Sequence, residues 1–187
     1  MSTLDAVILA GGAGSRMGGV DKPGLAVAGR TLVERVAAAV RAHAPDGRII
    51  VVGPERESPP ALYVREDPPG SGPVPALRAG LPHVTAERFA LLAADLPHLT
   101  GGHLATLEGA VEDVGAVFVD GGGREQWLTG VWDTGAVRAA LAAYAGRSLY
   151  GLLGPLGPRF VPAPDPDAVA DCDTPEDLAR AARRLDG

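Results

Sequence analysis

Apolar positions along this chain follow two alternating rhythms. Short unbroken runs at Ala6 to Leu9, Ile49 to Val52 and Phe89 to Ala93 have the length and residue types of strands buried on both faces. Leu62 to Val64 is a weaker run of the same kind, and Ala116 to Val119 and Gln126 to Trp132 extend the series. Between them, apolar residues three and four apart mark helices over Leu32 to His43, Val74 to Leu81, Leu104 to Val111 and Thr134 to Tyr144. A shorter helix lies within Arg147 to Leu153, and a last one ends near Leu185.

Helix boundaries carry their own chemistry. Thr31 followed by Glu34 is a capping box, and it places Leu32, Val36, Ala39 and Val40 on one buried face before Pro45-Asp-Gly stops the helix. Near the C-terminus, Asp173 or Thr174 serves as N-cap, with Pro175 just inside the first turn. Pro23 to Arg30 reads as a turn-rich connection, Gly53 to Pro60 as a polar loop, and Gly121 to Gly123 as a flexible turn. Arg65 to Pro75 holds too much proline and glycine for regular structure, and a candidate strand at Phe160-Val161 sits inside the proline-rich passage Pro155 to Pro166.

Strand, loop and helix thus alternate three times in the first half. That order predicts an α/β fold in which an open, mainly parallel sheet is flanked by helices, as one domain over residues 1–187. In such folds ligands bind outside the carboxyl ends of the strands. Asp95 follows the third clear strand at that position.

Composition narrows the partners. A net charge of −6 and a pI near 5.2 argue against general binding to nucleic acid or anionic lipid, which need a basic surface. No apolar run reaches the ~18 residues of a membrane span, and the start lacks a secretory leader, so the expectation is a soluble, cytoplasmic protein. The lone Cys172 has no disulfide partner, and no Cys/His cluster has zinc spacing. Lys22 is the only lysine, and asparagine is absent.

The densest chemistry lies directly after the first strand, in Leu9-Ala-Gly-Gly-Ala-Gly-Ser-Arg-Met-Gly-Gly-Val-Asp-Lys22. Gly11, Gly12, Gly14 and Gly18 leave backbone N–H groups bare enough to surround a phosphate, and Arg16 and Lys22 add positive charge. Met17 breaks the dinucleotide fingerprint counted from Gly12, and Gly19 stands where a P-loop has lysine. A loop rich in glycine only for turn geometry would explain neither Arg16 nor the solitary lysine.

Leu9-Ala-Gly-Gly-x-x-x-Arg16-Met-Gly, with Asp21-Lys22, resembles the signature of the MobA-like nucleotidyltransferases, the family of the molybdenum cofactor guanylyltransferases. Gly72-Pro73, Asp95-Leu-Pro97 and Thr174-Pro-Glu-Asp-Leu178 continue the resemblance in the family's order. It implies a Rossmann-like nucleotidyltransferase fold and transfer of a nucleoside monophosphate, GMP from GTP, to a phosphorylated acceptor, molybdopterin, with Mg²⁺ and release of pyrophosphate. By the same resemblance Arg16, Lys22 and Asp95 are catalytic. Leu9, Ala10, Gly11, Gly12, Gly14, Arg16, Lys22, Asp67 and Asp95 hold the nucleotide, and Asp95 and Asp173 the metal.

Each carboxylate also has a plainer reading: Asp95 as a turn residue before Pro97, Asp67 as part of a Pro/Gly turn, Asp173 as a helix cap. The chain departs from the family where Asp171-Cys172-Asp173 replaces a common Asn-x-Asn, and where Gly53 replaces an asparagine. Gln126 and Arg147 fall where the family faces its acceptor. The two tryptophans read as core, and Arg180, Arg183 and Arg184 as a solvated helix end favoured by the helix dipole. Competing readings are a transferase using CTP or another phosphorylated acceptor, a nucleotide-binding module without catalysis, and a nicotinamide or flavin oxidoreductase.

Overall fold

A computed structural model describes residues 4–11 and 19–186. Its centre is β1 (Leu4–Leu9), buried along nearly its whole length and paired in parallel with β4 (Ile49–Val52) on one side and β6 (Arg88–Ala93) on the other. β5 (Leu62–Val64) adds a parallel edge beyond β4. Beyond β6 lie β8 (Glu125–Asp133), β7 (Gly115–Val119) and β9 (Arg159–Pro162), giving the order β5-β4-β1-β6-β8-β7-β9. Only β8 runs against the others. The mainly parallel sheet expected from the alternation is therefore present, and the antiparallel strand is the tryptophan-bearing one.

Two layers of helix cover the sheet because its strands alternate inward residues to both faces. Ala6 and Ile8 face α1 (Leu32–His43) and α3 (Gly101–Ala110), whereas Val7 faces α2 (Pro73–Gly80), α4 (Thr134–Ala143) and α5 (Leu149–Leu153). The Thr31/Glu34 capping box forms as read, and α1 buries Leu32, Val33, Val36, Ala37, Ala39 and Val40. The last helix, α6 (Pro175–Leu185), packs Ala181 with Val27, Leu32 and Cys172.

Two boundaries differ from the sequence reading. α3 begins at Gly101, three residues earlier than expected, because Thr100 caps it and His103 Nδ1 accepts from the Thr100 N–H, the place usually taken by Glu or Gln. The stretch after Lys22 contains a small hairpin, β2 (Ala26–Val27) with β3 (Arg30–Thr31), turned by Ala28 and Gly29 at positive φ. Two-residue strands leave no periodicity to read. Among the described residues no helix is long and apolar enough to cross a membrane.

Asp5, buried at the start of β1, ties three segments together: it accepts from the N–H groups of Arg48, Thr85 and Ala86 and from the Thr85 hydroxyl. Burial pushes its carboxyl up, but those hydrogen bonds win and hold it below the usual carboxylate value. The charged form is thus favoured by folding, so its contribution is complete above the unfolded-state value near 3.9 and is lost as pH falls through the lowered native one. Asp5→Ala is expected to lower stability by about 2–4 kcal/mol at neutral pH. In urea melts the gap between variant and parent should narrow below about pH 4; a gap independent of pH would show that packing, not charge, is what is lost.

Candidate active site

β1 and β6 are neighbours in register, with Leu9 opposite Ala93, so the segments that follow them leave the same edge of the sheet. After β6 the backbone carries Asp95. After β1 come residues 12–18, which include Gly12, Gly14 and Arg16 and lie outside the described residues; the chain is described again from Gly19. Lys22 opens a 3-10 turn (Lys22–Gly24) whose Pro23 is buried. The preceding Asp21 is gripped by both terminal nitrogens of Arg56, each 2.5 Å away, which anchors the turn to the loop after β4.

The third contributor arrives from far along the chain. Cys172 is buried, and its N–H donates to the Asp95 carbonyl at 3.1 Å. Alternation along this extended segment puts Asp171 and Asp173 on the side opposite Cys172. Thr174, not Asp173, caps α6, and Asp177 completes the box while also accepting from the Asp173 N–H. The Asp173 side chain takes no part in this cap.

The outcome is an ammonium among carboxylates. Lys22 Nζ lies 2.5 Å from Asp95 Oδ2 and 2.6 Å from Asp173 Oδ1, with all three side chains mostly shielded from solvent. One oxygen each from Asp95, Asp171 and Asp173 falls within a 4.8 Å circle. Burial alone would lower the Lys22 pKa, but hydrogen bonds and charge from Asp173 and Asp95 outweigh it and raise the value. Asp171, though exposed at the rim, has its carboxyl pushed up by desolvation and then by the negative charge of Asp173 and Asp95. Three hard oxygen donors gathered round a cation suit Mg²⁺, which takes one or two carboxylates and completes its shell with phosphate oxygens and water. Asp171 is the member of this trio that the metal assignment from sequence omitted.

The cleft around this cluster has a volume of about 610 Å³ and two unlike ends. One is framed by Leu9, Ala10, Gly11, Glu66, Gly70 and the start of α2. The structure places Asp67 on the exposed surface, outside the cleft lining, whereas its neighbour Glu66 is only 4% exposed and lines the cleft. Glu66 Oε1 accepts from the Gly70 N–H at 2.8 Å, and Oε2 is buried with no hydrogen-bond partner among the described residues. Both oxygens pack against Gly11, where a Cβ would stand 3.1 Å from Oε1. The departure at Gly53 also has a steric cause, since a Cβ there would come within 2.9 Å of the Ala10 carbonyl.

The opposite end is built from β8 and α5. Gln126 lines it, but its amide is engaged with Asp120 and the Arg124 carbonyl. Arg147 is exposed and outside the lining. Of the two tryptophans only Trp132 is fully buried; Trp127, read as core, is part of the cleft wall. Arg180 and Arg184 are paired with Asp177 and Asp167 on the outer face of α6.

A lysine and a carboxylate trio stand at the carboxyl edge of a mainly parallel sheet, after the strand that leads into the glycine-rich sequence, and similarity to known proteins makes the chain a nucleotidyltransferase, an enzyme. Residues 6–160 match the model of the MobA-like NTP transferase domain, and the chain belongs to that family. It is 35% identical over 189 residues to a molybdenum cofactor guanylyltransferase of Cereibacter sphaeroides, covering 97% of each chain. Its fold matches that of a nucleotidyl transferase from Methanothermobacter thermautotroptrophicus with a TM-score of 0.80, at 21% identity over 99% of this chain and 98% of the other. A molybdopterin-guanine dinucleotide biosynthesis protein A from Archaeoglobus fulgidus superimposes with a TM-score of 0.74, at 18% identity over 98% and 99%.

Removing the ammonium leaves the clustered carboxylates facing one another. Lys22→Met should therefore lower the melting temperature in chelator by several degrees, a loss of about 1–3 kcal/mol. Millimolar Mg²⁺ should restore more of the loss in the variant than it adds to the parent, because the cation no longer competes with Nζ. Equal Mg²⁺ shifts in both proteins would mean that the metal binds elsewhere.

Proposed function

We propose that this protein transfers GMP from GTP to the terminal phosphate of molybdopterin and releases pyrophosphate, with Mg²⁺ held by Asp95 and Asp173 and assisted by Asp171. The observation that carries the reading is the Lys22 ammonium set between Asp95 and Asp173 at the carboxyl edge of the sheet. The names of the guanylyltransferase relatives support the choice of GTP and molybdopterin.

In this scheme the acceptor's phosphate oxygen attacks the α-phosphorus in line. A new P–O bond forms as the bond to the β-phosphate bridge breaks, and the electron pair leaves on pyrophosphate. The nucleophile is already anionic, so no general base is required, and the work is alignment and charge neutralisation. Amides of Gly11, Gly12 and Gly14, with Arg16, hold the β- and γ-phosphates. Lys22 holds the α-phosphate, since an ammonium shared by two carboxylates can exchange them for phosphate oxygens at the same place. Bound Mg²⁺ would neutralise triphosphate charge. The framing of Leu9, Ala10 and Glu66 suits the base, and the unpartnered Glu66 Oε2 is an acceptor for guanine N1–H and the 2-amino group. Cytosine instead offers its amino group beside an acceptor nitrogen. Asp67 has no part in this scheme.

Lys22→Ala and Asp95→Asn should each cut pyrophosphate release from GTP, Mg²⁺ and molybdopterin by roughly 10²–10³-fold. Turnover with CTP and none with GTP would refute guanylyl transfer, and a pure binding module would release no pyrophosphate for these changes to abolish. Inosine triphosphate, which lacks the 2-amino group, should be used with kcat/KM about tenfold below that of GTP. Glu66→Gln should erase that preference; if it persists, the base is read elsewhere.

A further inference from the structure

Aromatic residues are scarce in this chain, two Trp, three Tyr and three Phe, yet half of them meet at one place. Trp132, fully buried, stacks on Trp127 with ring centroids 6.4 Å apart and planes at 22°. Tyr150 and Phe160 stand edge-on to Trp127 at 5.8 and 6.2 Å. Tyr150 and Phe160 are 66% and 50% exposed, among the few large apolar side chains that the described surface leaves in water. Of these, Tyr150 lines the cleft beside the half-buried Trp127, and aromatic surface left open in a cleft is suited to a partner.

The location says what kind of partner. Trp127 and Tyr150 line the same cleft as Asp95, Asp171 and Asp173, at the end opposite Glu66. An occupant must therefore fit inside the cleft and reach the reacting phosphates while leaving the base end free. A protein surface is too large for that, and a sugar phosphate would leave the aromatic wall wet. A flat heteroaromatic ring that carries a phosphate on a short chain satisfies both conditions, because stacking covers the indole and the tether reaches the carboxylates.

We propose that Trp127, braced by Trp132 and rimmed by Tyr150, is the platform on which the flat ring of the acceptor stacks. This rests on the transferase reading above and adds a specificity residue on the acceptor side. The bracing matters: with Trp132 nearly parallel to it and two further rings in T-shaped contact, Trp127 is held in place before the acceptor arrives, so little freedom is lost on binding. Gln126, next along β8, has its amide nitrogen tied to Asp120, and Trp127 and Tyr150 are the aromatic rings that line this end.

Calorimetry on the full chain with Mg²⁺ tests the idea, using neopterin monophosphate as the ring-bearing probe, ribose 5-phosphate as the ringless one, and GTP titrated separately. The parent should bind the pterin phosphate at least tenfold more tightly than ribose 5-phosphate. Trp127→Leu should weaken pterin phosphate binding roughly tenfold (about 1.4 kcal/mol), Tyr150→Ala about threefold, and Trp127→Phe, which keeps a stacking face, much less than Leu. In turnover, the KM for molybdopterin should rise while that for GTP holds. Pterin phosphate affinity unchanged in Trp127→Leu, or an equal loss for GTP, would overturn the platform. So would no preference for the pterin over ribose 5-phosphate in the parent. A dimer lost in Trp127→Leu and Tyr150→Ala with pterin affinity intact would assign the patch to a second copy of the chain instead. Should Trp127→Leu fail to fold, judged by circular dichroism, the Phe and Tyr150 variants still decide. Failure here alongside GTP-dependent formation of the guanine dinucleotide would sink the platform alone; failure to form that product with GTP would sink the transferase reading.

Discussion

The cleft has one electrostatic constraint at its centre: three crowded carboxylates, two of them paired with one ammonium. Like charges within 5 Å in a half-shielded site repel by several kcal/mol unless compensated. In the described structure the compensation is the Lys22 ammonium on Asp95 and Asp173. Supporting contacts converge on it from three distant stretches of sequence. Asp21 and Arg56 hold the turn that carries Lys22, the end of β6 carries Asp95, and the Cys172 N–H bond to Asp95 fixes the segment bearing Asp171 and Asp173.

That constraint explains why the sheet is ordered as it is. The adjacent parallel pair of β1 and β6 brings both carboxyl ends to one edge, which puts Ala10 and Gly11 in the same cleft as Asp95. β8, running the other way, contributes Trp127 to the opposite end of the cleft. A mainly parallel sheet with one reversed strand thus separates two kinds of wall, one of backbone and small residues with Glu66 and one of larger side chains from β8 and α5.

Much of this was legible in the sequence. The continuous apolar runs located the strands, because strands buried on both faces carry few polar residues. The Thr31/Glu34 box set the start of α1 because both of its partners are local. Lys22 and Asp95 stood out by residue type and position relative to strand ends. What escaped depended on contacts distant in sequence or on direction within a loop. In Glu66-Asp67, composition gave no means of knowing which acid faces inward, and packing against Gly11 selects Glu66. The role of Asp173 stayed ambiguous between cap and ligand because Thr174 could serve as cap equally well, and only the fold shows that it does. Trp127 read as core because an aromatic in an apolar strand usually is; its place in the cleft follows from the pairing of β8 and from α5 packing beside it.

The replacement of a common Asn-x-Asn by Asp171-Cys-Asp173 has an electrostatic meaning that the geometry makes concrete. Asparagines here would leave Asp95 as the single carboxylate beside Lys22, whereas two aspartates add negative charge at the same place. Under the proposed reading that added charge would favour a divalent cation and set it in competition with Lys22 for the carboxylates. It would also tie the approach of an anion to the presence of a cation more tightly than the neutral version would. The rise in the Asp171 pKa caused by its acidic neighbours is the same coupling seen from the proton's side: whatever positive charge enters, whether proton, ammonium or metal, relieves one repulsion shared by all three carboxylates.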